Sequence, residues 1–175
     1  MNSKPDPKAM LRRIFELAAD VTRLGSAAGR TVGTAESCTG GLIGAALTAI
    51  PGSSAVFHGG IIAYDNHIKN RLLGVPQEML NRHGAVSEEV AKAMARGALE
   101  SLDVDIAVSV TGIAGPGGGS SDKPVGTVWM GLAVKKGGTT EVTAYHHLFS
   151  DMSRNKVRDM TCLTALETLI NVLNS

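Results

Sequence analysis

Thr31-Val-Gly-Thr-Ala-Glu-Ser-Cys-Thr-Gly-Gly-Leu-Ile-Gly-Ala-Ala-Leu47 decides the fold class of this chain. A short β-branched run gives way to small polar residues and then to Ala, Leu and Ile at helical spacing, the pattern of a strand, a tight turn and a helix start. Ser37 falls where the strand stops. The turn from Ser37 to Gly41 aims several backbone N–H groups into one space, and the helix N-terminus adds partial positive charge, which suits an anion or a developing oxyanion. A plainer role for Ser37 or Thr39 is helix N-cap. The stretch alone leaves both open.

On its N-terminal side, Asp6-Pro7 reads as an N-cap with Pro at the first helical position, and Met10, Leu11, Ile14, Leu17, Ala18, Val21 and Leu24 mark one apolar face of a first helix ending near Gly25 to Gly29. Strand 1 is expected over Thr31 to Ala35 and helix 2 from about Gly41 to Ile50, stopped by Pro51-Gly52. Val56 to Tyr64 reads as a strand whose two glycines signal a bulge or a close backbone approach. Asn66 is the expected cap of a short helix carrying Lys69 and closing at Gly74, and Pro76 to His83 forms another. Ser87 caps a longer helix, with Glu88 and Glu89 in its first turn, running to about Leu102.

Ile106 to Thr111 is a nearly continuous apolar strand of the kind covered on both faces. Gly112 to Pro124 must be a loop, with Gly117 to Ser121 as its flexible, solvent-exposed half. Thr127–Val134 and Glu141–Leu148, joined across Lys-Lys-Gly-Gly, form an antiparallel hairpin, and a last helix spans roughly Ser153 to Leu173. The alternation predicts an α/β fold, a three-layer α/β/α sandwich with a mixed, mostly parallel sheet, in one domain over residues 1–175.

At 175 residues the chain can bury a core without disulfides or metals. Its 43% hydrophobic and 19% charged composition with net charge +1 gives no electrostatic reason to expect a nucleic-acid or anionic-membrane partner. Aromatics at 3% argue against base-stacking platforms. Two cysteines, Cys38 and Cys162, without C-x-x-C and without a signal peptide, point to a reducing cytoplasm. No apolar run suffices for a transmembrane helix. His58, His67, His83, His146 and His147 have no metal-ligand spacing, so neither metal nor cofactor is expected.

Three segments meet at one sheet edge if Ser37, Tyr64 and the Gly112 loop leave the same end of the strands, where ligands of open α/β folds sit. Lys69 can serve as general base for Ser37 if burial brings its pKa down from about 10.4 towards neutrality; it reads equally as a solvated surface lysine. Tyr64 either faces the same cleft or finishes the core edge. The glycine loop satisfies neither G-x-x-x-x-G-K-[ST] nor G-x-G-x-x-G. Arg154 and Arg158 can bind a phosphate or simply decorate a helix face. Cys38 is a rival nucleophile beside Ser37, or a small buried residue.

Taken in order, Thr34-Ala-Glu-Ser-Cys-Thr-Gly-Gly41, Pro51-Gly-Ser-Ser-Ala55, Tyr64-x-Asn66-x-x-Lys69, Leu73-Gly-Val75, His83-Gly-Ala-Val-Ser87, Thr111-Gly-Ile-Ala-Gly-Pro116 and Lys123-Pro-Val-Gly-Thr-Val128 resemble the competence-damage-inducible protein C-terminal domain family, over about residues 8 to 173. Its enzymatic members are nicotinamide mononucleotide amidohydrolases. The resemblance implies a usually oligomeric domain that converts the carboxamide of this small-molecule nucleotide to a carboxylate and ammonia in pyridine-nucleotide recycling, without a metal. It places the family's nucleophile on Ser37, its lysine on Lys69 and its tyrosine on Tyr64. Thr39, Gly40, Gly41, Thr111, Gly112 and Gly115 would shape the nucleotide pocket, and Arg154 matches an arginine near the last helix.

Two departures stand out. The family's Gly-Asp-Arg entry to that helix reads Ser150-Asp-Met-Ser-Arg154 here, and Asp65 replaces a common small polar residue. Many members also carry an N-terminal pyrophosphatase-type domain, which the reading does not expect in this chain. Two rivals stand beside the amidohydrolase: a non-catalytic nucleotide-binding module in competence or DNA-damage responses, and thiol chemistry at Cys38.

Overall fold

The computed structural model describes residues 7–175, so the expected cap Asp6 lies outside the described residues. Helix α1 (Pro7–Ala28) leads into β1 (Val32–Glu36), α2 (Leu42–Thr48), a 3-10 turn at Ser53–Ala55, and β2 (Phe57–Ile62). Then come α3 (Asn66–Leu73), α4 (Gln77–His83), α5 (Glu88–Ser101), β3 (Ile106–Gly112), β4 (Thr127–Lys136), β5 (Thr139–Leu148) and α6 (Arg154–Leu173).

The sheet order is β2-β1-β3-β4-β5. β1 pairs parallel with β2 and β3, whereas β4 pairs antiparallel with both β3 and β5. Four strands therefore run the same way and β4 alone is reversed, the mixed, mostly parallel sheet of a three-layer sandwich. The C-terminal ends of β1, β2 and β3 come together as a result. That shared edge is where the site lies.

Alternation across each strand sorts the layers. Val32, Ile106, Val108 and Val110 face α1, α2 and α6, which supply Ile14, Leu17, Val21, Ile43, Leu47, Leu166 and Leu169. Ala35, Ala107 and Ala133 face the layer of α3, α4 and α5, packed with Leu73, Leu80, Met94 and Leu99. Small residues dominate the second face because α5 lies close on it: a Cβ added to Gly131 would stand 2.2 Å from the Ala91 carbonyl oxygen. Leu11 departs from the predicted apolar face of α1 and is 52% exposed, one helical step off the stripe that meets α6.

The glycines of β2 act as expected. The β1–β2 register slips between Val32↔Phe57 and Gly33↔Gly59, a bulge at His58. Beyond it, a Cβ on Gly60 would meet Thr34 Oγ1 at 2.4 Å. The Gly137-Gly138 turn closes the β4–β5 hairpin with both residues at positive φ, 53° and 85°.

Candidate active site

Ser37 sits one residue beyond β1, its amide donating to the Val110 carbonyl across the sheet at 3.0 Å. The turn after it is not capped by Ser37 or Thr39. The N-cap position of α2 is Gly41, in the left-handed region at φ 98°, with no side-chain cap. The carboxylate of Glu36 does that work from inside the strand. It accepts from the amides of Gly41 (3.0 Å), Ile43 (3.1 Å) and Gly44 (2.8 Å) and from the hydroxyls of Thr39 (2.6 Å) and Thr34 (3.3 Å). The expected anion site at this helix start is therefore already filled by the chain's own carboxylate. The amides of Cys38 and Thr39 stay outside that network and bear on the Cys38 sulfur.

Lys69 arrives from α3. The helix is capped by Asp65, not by Asn66 as expected: the Asp65 carboxylate accepts from the His67 amide at 2.8 Å. An acid one residue earlier wins because it stands at the extended position where a side chain can turn back onto the first free amides. Lys69 and Leu73 share the inward face of α3, and Lys69 is only 1% exposed. Its Nζ lies 3.2 Å from Ser37 Oγ, 2.9 Å from the Ala63 carbonyl oxygen and 3.2 Å from that of Tyr64. Burial pushes its pKa below the usual lysine value, opposed by the charge of Asp65 and by Cys38. A neutral amine fits this geometry: two hydrogens go to the two carbonyls and the lone pair turns to the serine hydroxyl.

Tyr64 contributes in two directions. Its carbonyl holds Lys69, while its side chain, 62% exposed, lies over the cleft with its hydroxyl accepting from Arg154 Nη2 at 3.0 Å. Arg154 also donates through Nη1 to the Gly115 carbonyl at 2.8 Å, tying the glycine loop to the start of α6. Arg158 is spent on the Thr39 carbonyl at 2.9 Å. The flexible half expected of the glycine loop is tethered at its end, where Lys123 Nζ donates to the His83 carbonyl at 2.8 Å.

Together these elements enclose a cleft of about 190 Å³, lined by Ser37, Cys38, Tyr64, Asn66, Lys69, Ala85, Val86, Thr111, Gly112, Ala114 and Arg154. Of the residues expected here, Ser37, Lys69, Tyr64, Thr111, Gly112 and Arg154 meet in one place. Thr39, Gly40, Gly41 and Gly115 lie behind the lining: Thr39 and Gly41 bind Glu36, Gly40 donates to the Ser37 carbonyl, and Gly115 anchors Arg154. Asn66 was expected only as a helix cap, and Ala85 and Val86 were given no role from sequence. The last two come from the α4–α5 link, held there by the Thr111 hydroxyl donating to the Ala85 carbonyl at 2.8 Å. Cys38 faces the cleft but is buried, which pushes its thiol up to about 12 and keeps it protonated.

A model of the CinA C-terminal domain matches residues 14–173. A CinA-like protein of Synechococcus sp. (strain CC9902) is 50% identical over 153 residues, 87% of this chain and 36% of that protein. Another, of Geobacter metallireducens, is 52% identical over 149 residues, 85% of this chain and 35% of its own length. The chain thus spans about a third of the length of these curated relatives. Among solved structures, the competence/damage inducible protein CihA from Agrobacterium tumefaciens superposes with a TM-score of 0.88 at 44% identity, covering 100% of both chains. A CinA superfamily protein from Klebsiella pneumoniae gives 0.83 at 34% identity, covering 92% of this chain and 98% of that one. No helix among the described residues is long and apolar enough to cross a membrane.

Proposed function

Since this chain belongs to the CinA C-terminal domain family, we propose that it is an amidohydrolase that converts nicotinamide mononucleotide to nicotinate mononucleotide and ammonia through a Ser37–Lys69 dyad. The observation that carries this reading is the 3.2 Å approach of Lys69 Nζ to Ser37 Oγ, with both other Nζ contacts made to carbonyl oxygens. A buried lysine with no carboxylate partner, aimed at a serine in a cleft, is a costly arrangement for a structural residue and a usual one for a base.

In the proposed reaction the neutral Lys69 amine takes the Ser37 proton as Oγ attacks the carboxamide carbon. The resulting oxyanion is held by the Cys38 and Thr39 amides, which Glu36 leaves unclaimed. As the C–N bond breaks, the Lys69 ammonium returns its proton to the leaving nitrogen, ammonia departs, and the nicotinoyl ester of Ser37 remains. Water then attacks that ester, giving one proton to Lys69, which passes it to Ser37 as the C–Oγ bond breaks; the acid so formed gives its remaining proton to solvent and leaves as the carboxylate.

Thr111, Gly112, Ala85 and Val86 wall the pyridine ring. Arg154 stands at the mouth with two N–H groups spent on Gly115 and Tyr64, and its remaining donors meet the nucleotide phosphate. Ammonia release from nicotinamide mononucleotide by the wild type and by Ser37→Ala, without added metal, tests the reading. Release by the wild type alone supports it; equal release by both, or by neither, overturns it.

A further inference from the structure

The residue immediately before the nucleophile carries the structure of the turn, and nothing in the proposed chemistry uses it. Glu36 is 1% exposed, and its five donors include no cation. A carboxylate enclosed in this way is normally balanced by Arg or Lys. Here its charge is spread over three amides of the α2 start and two hydroxyls, and the donors divide unevenly between the oxygens. Oε2 takes Thr39, Gly41 and Ile43, while Oε1 takes Gly44 and Thr34.

Position explains why this matters for the serine. Ser37 lies between an anchored strand end, where its own amide is held by Val110, and a turn whose far side hangs on Glu36. The shortest arm, from the Thr39 hydroxyl, reaches only two residues past Ser37 and fixes the backbone that carries the Cys38 and Thr39 amides. Three amides are removed from competition for an anion and two are left. A neutral cap at Gly41 would leave the whole helix start open to solvent or to the substrate's phosphate.

We propose that Glu36 is a positioning residue of the reaction: its buried carboxylate holds the Ser37 turn in its attacking conformation and confines the oxyanion to the two amides it does not bind. The proposal rests on the serine–lysine reading of the cleft. It makes the acid ahead of the nucleophile a part of the catalytic apparatus that never touches the substrate.

Glu36→Gln tests it with little disturbance. The amide oxygen keeps the three-donor side, the new NH2 donates to the Thr34 hydroxyl, and only the Gly44 amide loses its acceptor. Two readouts are taken on wild type and variant: steady-state ammonia release, and the rate at which a fluorophosphonate probe labels Ser37, located by peptide mass. The expected result is a fall of about tenfold or more in both kcat and labelling rate, with KM nearly unchanged and the variant still fully folded at the assay temperature. A purely structural role would instead lower the melting temperature and leave kcat of the folded fraction intact.

Equal labelling of Ser37 in both proteins overturns the proposal. Labelling of the wild type without ammonia release overturns the substrate reading alone, and the ratio of labelling rates still decides on Glu36. Absence of any wild-type labelling at Ser37 overturns both. Thr39→Val, which removes the shortest arm, should shift kcat and labelling in the same direction by a smaller factor.

Discussion

Replacement of Lys69 by Met separates catalysis from stability. Met has nearly the volume and unbranched shape of Lys, so the inward face of α3 stays filled beside Leu73. Loss of a general base costs about 10²- to 10⁴-fold in rate, or about 2.7–5.5 kcal/mol in the barrier. Stability moves far less, because two terms oppose. The Ala63 and Tyr64 carbonyls each lose a donor, at about 1–3 kcal/mol apiece if they stay dry. Against that, the variant no longer buries an ionisable amine, a penalty of several kcal/mol when charged.

The difference depends on pH, and its sign follows from burial. Lys69 has its pKa lowered in the folded state. Between that value and the unfolded value of about 10.4, the native protein binds fewer protons than the unfolded chain, so wild-type stability rises with pH across that window. Below it the cost of burying Lys69 is fully present. The Met variant lacks this slope, so its advantage is greatest on the acid side and shrinks as the solution becomes alkaline. Ammonia release gives the activity, and urea denaturation from neutral to alkaline pH gives the stability. A variant retaining more than a tenth of wild-type turnover would refute the base role. One that loses stability by an equal amount at every pH would refute the account of burial.

Two further substitutions probe the neighbours of the dyad. Asp65 raises the Lys69 pKa and also caps α3 through the His67 amide; Asn caps equally well, so Asp65→Asn should leave stability nearly unchanged. It should move the acid limb of the kcat/KM profile to lower pH, because the base form of Lys69 then persists further down, and an unmoved limb would exclude Lys69 as the titrating group. Cys38→Ala should keep turnover within about threefold of wild type, since a thiol pushed up to about 12 supplies no thiolate near neutrality. Inactivation as complete as that of Ser37→Ala would restore the thiol mechanism.

Elements with their own local signals were legible in the sequence. The strand, turn and helix around Ser37, the Ser87 cap, the close backbone approach at Gly60 of β2 and the hairpin all rest on residues within a few positions of one another. The Ser87 hydroxyl accepts from the Val90 amide as a capping serine should. The meeting of Ser37, Tyr64 and the Gly112 loop was legible as well, because parallel strands put their C-terminal ends on one edge of the sheet. Cleft residues that depend on tertiary closure were not. Ala85 and Val86 are small apolar residues in a link, and only the Thr111 hydroxyl, 26 positions away, brings them to the wall.

Glu36 shows why a residue can be quoted in a motif and still not be read. An acid inside a strand suggests an outward-facing position, since alternation lets one face of a half-buried strand be polar. Here every residue of β1 is buried, for the strand lies between β2 and β3 and helices cover both faces. The carboxylate therefore had to find donors within the protein, and the free amides at the start of α2 were the nearest supply. The turn that had looked open to an outside anion serves that internal one instead: Gly41 turns through positive φ to present its amide to Oε2, and the Gly44 amide donates to Oε1. A glycine-rich helix start advertises that an anion binds, but not whose anion it is; the acid directly ahead of the serine, with no basic residue between it and Ile43, was the signal that the chain supplies its own.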